Sequence, residues 1–378
     1  MKFSTRLKSA LCGTGALLAL AAAGPAHAQG KHYKVFLDMS YSGNIWQAAA
    51  ANGIKALAAT APYDKEVTFK TVISGTDVQH QISDLQSMIA DGANAIIMYP
   101  LSPTALNRVI RQACAQHVLV FAYDSTVTEP CAYNVSSITA RYGANSAQWM
   151  VNQMGGKGEV VINHGVAGTS VTKTYDAQEG VSRILAAHPN LSAIWTVDGT
   201  YGSLEAVMKN RPNQLVTIAG QSNNGYRLLI SDKAMQDKGL KGLSSSSGPA
   251  VGPYAFKVMM EVLTGELKLA HHNVQYPLPW VPYQDVKLCS GDSFVNGCNA
   301  FPEGKVPPLF IDTSLDGTLL PELSLQSIQE GKATSGARMQ ALPPVKYAEN
   351  LPGINCSDCK ASPDAMEPDL VKPIPVPK

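Results

Sequence analysis

The chain has 378 residues, and its 30 Lys and Arg against 29 Asp and Glu leave a net charge of +1. That balance excludes the strongly basic surface on which binding to nucleic acid or anionic membrane depends. Hydrophobic residues make up 45% of the chain, enough for real cores and for two domains.

Residues 1–28 read as a signal peptide. Lys2, Arg6 and Lys8 give a positive start, residues 11–23 a short apolar stretch, and Ala26-His27-Ala28 a small-x-small cleavage site. Cys12 follows Leu11 at the start of the apolar stretch, the wrong place for lipid attachment. No later stretch is long and apolar enough for a membrane helix, so the expected product is exported, soluble and periplasmic.

From residue 33 short apolar runs alternate with helix-period segments. Residues 33–37 read as a strand and 45–59 as a helix with Trp46, Gly53, Ile54 and Leu57 on one side. Residues 67–73 form the next strand. Val78, Ile82, Leu85, Met88 and Ile89 then follow a 3.6-residue period, with Thr76 and Gln79 as the expected capping box and Gly92 as the stop. Strand 95–99 leads to Ser102-Pro103, where proline suits the opening of a helix. Strand 118–123 ends at Asp124. A second series has strands at 159–163, 193–197 and 215–219, helices between them, and a late helix at 251–263. This alternation predicts an α/β fold: two similar Rossmann-like or flavodoxin-like lobes, each a parallel sheet covered by helices. After about residue 285, proline, glycine and cysteine dominate. Apart from a short helix near 324–331, residues 286–378 read as an extended tail lying on the lobes.

Of 7 cysteines, Cys12 lies in the signal peptide. The others, Cys114, Cys131, Cys289, Cys298, Cys356 and Cys359, form an even set in an exported chain and read as disulfides that pin the tail, most simply between sequence neighbours. Cys356-Ser357-Asp358-Cys359 has redox or half-zinc-site spacing, but it lies in a proline-rich tail rather than at a helix start beside a sheet.

Open parallel sheets bind ligands beyond the carboxyl ends of their strands. That rule selects Asn44 and Trp46 after the first strand, Ser102 after the third, and Asp124 and Ser125 after the fourth. In the second series it selects Thr169 and Ser170, Asp198, and the pair Gln221-Ser222, with the serine run 244–247 near a crossing between lobes. Hydroxyls, amides, two carboxylates and an indole suit a neutral polyhydroxylated molecule. The plainer readings are that Asp124 and Asp198 cap helices and that Trp46 is a core residue. Clustering at strand ends favours the binding reading. No catalytic, metal or cofactor site is expected: Gly165-Val166-Ala167-Gly168 lacks the dinucleotide spacing, His271-His272 are adjacent, and no G-x-S-x-G elbow is present.

Ser40-Tyr41-Ser42-Gly43-Asn44-Ile45-Trp46, Pro100-Leu101-Ser102-Pro103-Thr104-Ala105-Leu106 and Gly165-Val166-Ala167-Gly168-Thr169-Ser170, together with Asp198, Gly202 and Leu263-Thr264-Gly265-Glu266, resemble the ribose-binding-like periplasmic proteins of ABC sugar transporters. The tail resembles a subgroup with long cysteine-containing C-terminal extensions. The resemblance implies a type I periplasmic binding protein, two lobes joined by three strands that close on a sugar without chemistry. Its lobes are discontinuous: residues 31–139 plus 247–272 form the first and 140–246 plus 273–285 the second. It implies ligand contacts at Asn44, Trp46, Asp124, Thr169, Ser170 and Asp198. The family often has Arg where Ser125 stands and Asp near Ser222, and its late glutamine matches Ser246, so ribose is not the expected sugar. The expected partners are a sugar or polyol and a membrane permease, with the chain acting as a monomer. A sensory protein presenting its ligand to a kinase or chemoreceptor is the alternative, and an exported hydrolase a weaker one. Between Gly168 and residue 191 only one helix can be found, so the second lobe is expected to lack one βα unit.

Overall fold

The computed structural model describes residues 32–40, 42–137, 139–163, 174–291 and 297–348. The signal peptide, Thr169, Ser170, Cys356 and Cys359 therefore lie outside the described residues. In chain order the elements are β1 (Tyr33–Met39), α1 (Ile45–Ala58), α2 (Tyr63–Glu66), β2 (Val67–Ile73), α3 (Val78–Ala90), β3 (Ala95–Met98), α4 (Asn107–Ala115), β4 (Leu119–Tyr123) and β5 (Tyr133–Ser136). There follow α5 (Thr139–Gln153), β6 (Glu159–Asn163), α6 (Thr174–Ala187), β7 (Leu191–Thr196), α7 (Thr200–Asn210), β8 (Thr217–Gly220), α8 (Asn224–Ser231), α9 (Lys233–Asp237), β9 (Lys241–Ser244), α10 (Val251–Thr264), β10 (Asn273–Gln275), β11 (Val281–Pro282) and α11 (Leu325–Glu330).

The strands form two sheets, one per lobe. The first is wholly parallel, in the order β10-β5-β4-β3-β1-β2. The second runs β11-β9-β8-β7-β6, parallel except for β11. Strands β3 and β4 are almost wholly buried, as expected where helices cover both faces. On one face Ile54, Leu57, Phe256 and Met259 of α1 and α10 pack against Val35, Leu37, Ile97 and Phe121; on the other, Leu85, Met88 and Ile110 of α3 and α4 pack against Ile96 and Val120. The alternation along β1, β3 and β4 that sorts these side chains is the period-2 geometry of a strand.

Three local readings change. The cap of α3 is Asp77, which accepts the Gln79 N–H at 2.7 Å, rather than Thr76. Ser102-Pro103 opens a turn rather than a helix, because α4 starts only at Asn107. Residues 273–275, assigned above to the second lobe, pair with β5 in the first sheet. The chain crosses back only between Gln275 and Val281. A three-residue strand is too short to carry an alternation that would place it.

Among the described residues the second sheet has five strands against six. In the first lobe α1 and α10 share one sheet face. In the second lobe α6 packs beside α7 on one face, while Trp149 and Met150 of α5, with Met154 just after it, pack against Ala193, Ala219 and Leu243 on the other. No described helix accompanies α5 there as α1 accompanies α10, and among the described residues β6 is an edge strand with no equivalent of β2 beside it.

Residues 297–348 run back over both lobes. Phe301, Phe310, Leu320, Leu323 and Ile328 are buried in the same core as α1 and α10. The bridges Cys114–Cys131 and Cys289–Cys298 join sequence neighbours, the first tying the end of α4 to the β4–β5 loop.

Candidate functional site

A cavity of about 210 Å³ lies between the carboxyl ends of the two sheets. Asn44, Trp46, Gln47, Tyr99 and Asp124 line it from the first lobe, Val197, Asp198 and Gln221 from the second, and Ser246 and Ser247 from a crossing segment. The strand-end rule thus brings together Asn44, Trp46, Asp124, Asp198 and Ser246. Ser102, Ser125 and Ser222 are not among the lining residues. The Ser102 hydroxyl accepts the N–H of Ala105 at 3.1 Å and caps its own turn. Ser222 is buried, with its hydroxyl 2.6 Å from that of Thr313 in the tail.

Local structure holds each group in place. Asn44 is the N-cap of α1, its side-chain oxygen accepting the Gln47 N–H at 2.7 Å, which fixes the loop that presents Trp46 one residue into the helix. The Trp46 indole N–H donates to the carbonyl of Ser247 at 3.0 Å. Its ring lies parallel to that of Tyr123, centroids 6.5 Å apart and planes 7° from parallel, and meets Tyr99 edge-on at 5.9 Å. Asp124 has a φ of 62°, in the left-handed region that Asp tolerates better than most residues, and its N–H donates to Val135. Its carboxylate accepts the hydroxyls of Ser247 and Tyr99. Burial nevertheless holds that carboxyl above the usual carboxylate range, because the desolvation outweighs both hydrogen bonds. Asp198 accepts the N–H of Gly199 at 2.9 Å in the turn that precedes α7. The helix-capping reading does not hold for Asp198, because the N-cap of α7 is Gly199 without a side-chain cap bond, whereas Asn44 caps α1 and still lines the cavity.

Behind this layer a buried network sets the strand ends. Asp38, at the end of β1, accepts Ser74 at 2.6 Å and the Gln81 amide at 2.8 Å. Gln81 also donates to the Tyr99 carbonyl and accepts the Leu101 N–H, each at 3.0 Å. Burial pushes the pKa of Asp38 up to about 6.

Gln47, Tyr99, Val197, Gln221 and Ser247 complete the lining. Gln47 is 4% exposed on an otherwise alanine-rich helix face, and a buried glutamine one turn into the first helix was the available signal for it. Its Oε1, like the hydroxyl of the buried Ser246, has no hydrogen-bond partner among the described residues. Such atoms cost about 1–3 kcal/mol each if left dry and unpaired. Both atoms are therefore available to a water molecule or to a polar ligand. None of the described lining residues is Lys, Arg or His.

The family described as periplasmic binding protein domain matches residues 35–175. A xylitol-binding protein of Mycolicibacterium smegmatis is 28% identical over 137 residues, which are 36% of this chain but only 39% of that protein's length. The galactofuranose-binding protein YtfQ of Escherichia coli is 24% identical over 229 residues, covering 57% of this chain and 70% of its own. The crystal structure of an ABC transporter solute binding protein from Thermobispora bispora superposes with a TM-score of 0.58 at 22% identity, over 67% of this chain and 86% of that one. Residues 35–175 thus match the periplasmic binding protein domain in sequence, and the chain shares the two-lobed α/β fold of these solute-binding structures.

Proposed function

We propose that the chain is a periplasmic receptor that captures a neutral sugar or polyol in this cavity and delivers it to an ABC transporter permease, acting as a monomer and performing no chemistry on the ligand. The observation that carries the reading is the pairing of the Trp46 ring with Asp124 and Asp198, one carboxylate from each lobe, and with unpartnered Gln47 and Ser246 atoms between them. Carboxylates and amides accept hydroxyl protons, and an indole face packs on the apolar side of a ring or extended polyol. The xylitol and galactofuranose ligands named for two relatives have the same chemistry. Without a cationic side chain in the described lining, an acidic ligand would face two carboxylates unaided.

The test is a thermal-shift screen of pentoses, hexoses and their alditols, followed by calorimetry. A ligand that binds only the native state adds about 2.7 kcal/mol when present at a hundred times its Kd. At least one neutral sugar or polyol is expected to raise the melting temperature and to be recovered unchanged. A screen in which only charged or apolar compounds bind, or in which the sugar is consumed, defeats the proposal.

A further inference from the structure

We propose that the tail segment 312–322 is a fourth connection between the lobes, a strap that limits hinge opening and keeps the cleft nearly formed before a ligand arrives. The proposal rests on the two-lobed architecture and not on the identity of the ligand.

The strap is anchored to the second lobe at its start. The Asp312 N–H donates to the Ser222 carbonyl at 2.9 Å, and Thr313 meets the Ser222 hydroxyl at 2.6 Å. The Asp312 carboxylate lies 3.6 Å from the guanidinium of Arg227 in α8, with both side chains at most 2% exposed. Just upstream, the Asn224 and Gly225 N–H groups donate to the carbonyls of Phe310 and Pro308. Ten residues later the strap is anchored to the first lobe. Glu322 accepts the ammonium of Lys257 in α10 at 2.7 Å, again with both side chains at most 1% exposed. Beyond it, Ile328 takes the Asn52 amide of α1, and Met339 donates to Ala61.

Between its anchors the strap lies on the crossing segments. The Thr313 carbonyl accepts the Ala250 N–H at 3.2 Å, and Asp316 accepts the Tyr276 hydroxyl at 3.0 Å. The approach to Gly248 is so close that a Cβ there would stand 2.6 Å from the Thr313 carbonyl oxygen. Rotation of one lobe about the crossings would therefore part Asp312 from Arg227, part Glu322 from Lys257 or lift Thr313 off Gly248. Withdrawing one partner from the buried, hydrogen-bonded Lys257–Glu322 pair is strongly unfavourable. A cleft held in this way loses less freedom on binding, which favours capture without a large closing motion.

The strap is tested without any ligand. Deleting the tail would strip Phe301, Phe310 and Ile328 from the core, so slack is introduced instead. Ten Gly and Ser residues are inserted after Gly317, in an exposed turn between the anchors. The control carries the same insertion after Gly336, an exposed turn whose flanks both lie on the first lobe. Small-angle scattering is expected to show a larger radius of gyration and a broader distance distribution for the Gly317 insertion than for the control. Indistinguishable profiles for the two overturn the proposal. Hydrogen exchange on the unaltered protein gives a second reading that needs no variant. The Ala250 amide, which donates to Thr313, is expected to be protected as strongly as core amides of β3, and rapid exchange there overturns the proposal.

Discussion

Trp46 stands parallel to Tyr123, with 7° between their planes, while its indole N–H is tied to the Ser247 carbonyl. One ring face is thus backed by a fully buried tyrosine and the ring edge is fixed to a crossing segment. The indole is a platform whose orientation is set before any ligand arrives.

From this platform follows the first prediction. Trp46→Ala and Asp124→Asn are each expected to weaken binding of the cognate sugar or polyol by about 1–3 kcal/mol, roughly a tenfold loss or more, measured by calorimetry. Both proteins should keep a cooperative thermal transition, because Trp46 and Asp124 lie at the cavity and not in the sheet cores. Unchanged affinity in both variants would place the ligand elsewhere.

Asp38 yields a prediction about pH. Its pKa is about 6 in the folded chain and near 3.9 unfolded, so the folded state binds the extra proton between these values. Stability contributed by the protonated form is present below about pH 4 and is lost as pH rises through 6, amounting to at most about 3 kcal/mol. Ser74 and Gln81 soften the loss by donating to the carboxylate. Urea titrations from pH 4 to 7 should show this decline, and Asp38→Asn should flatten it. A slope that survives the substitution would assign the effect to another group.

The bridges give a third. Closing the 17-residue separation between Cys114 and Cys131 stabilises the first lobe by about 3 kcal/mol, which the Cys114→Ser, Cys131→Ser double variant should lose. Peptide mapping without reductant is expected to recover Cys114 joined to Cys131, Cys289 to Cys298, and Cys356 to Cys359. Two or more free thiols would contradict it.

Much of this architecture was readable from local pattern. Strand alternation and helical period located β1–β4, α1 and α3, because each buries a face that repeats within a few residues. The strand-end rule reached Asn44, Trp46, Asp124 and Asp198 for the same reason: the end of a strand is a local event. Ser222 shows where the rule stops. It sits at a strand end beside Gln221, yet only Gln221 turns to the cavity, because Thr313 holds the serine from the far side. That partner is 91 residues away, and nothing in the local spacing announces it. The same holds for the strap. Lys257 within the apolar α10 hinted at a buried partner, but no periodicity could name Glu322.

The free edge of the second lobe carries the last prediction. Strand β6 has nothing beyond it among the described residues, and Val160 and Ile162 remain 42% and 53% exposed. With Met150, Val151, Met154 and Trp195 they line an apolar groove of about 270 Å³ beside α5. In the first lobe, α1 fills the matching position. A half-exposed isoleucine has already forgone much of its burial energy, so Ile162→Thr should change stability by no more than about 0.5 kcal/mol. Ile194, one strand inward on β7, is fully buried, and Ile194→Ala should cost about 2–5 kcal/mol. Urea unfolding of the two variants measures the contrast directly. If another part of the molecule sealed the groove in solution, Ile162→Thr would place a hydroxyl in a dry core and cost well over about 1 kcal/mol. A large loss at Ile162 would therefore show that this face is covered, and a small one that the second lobe functions with it open.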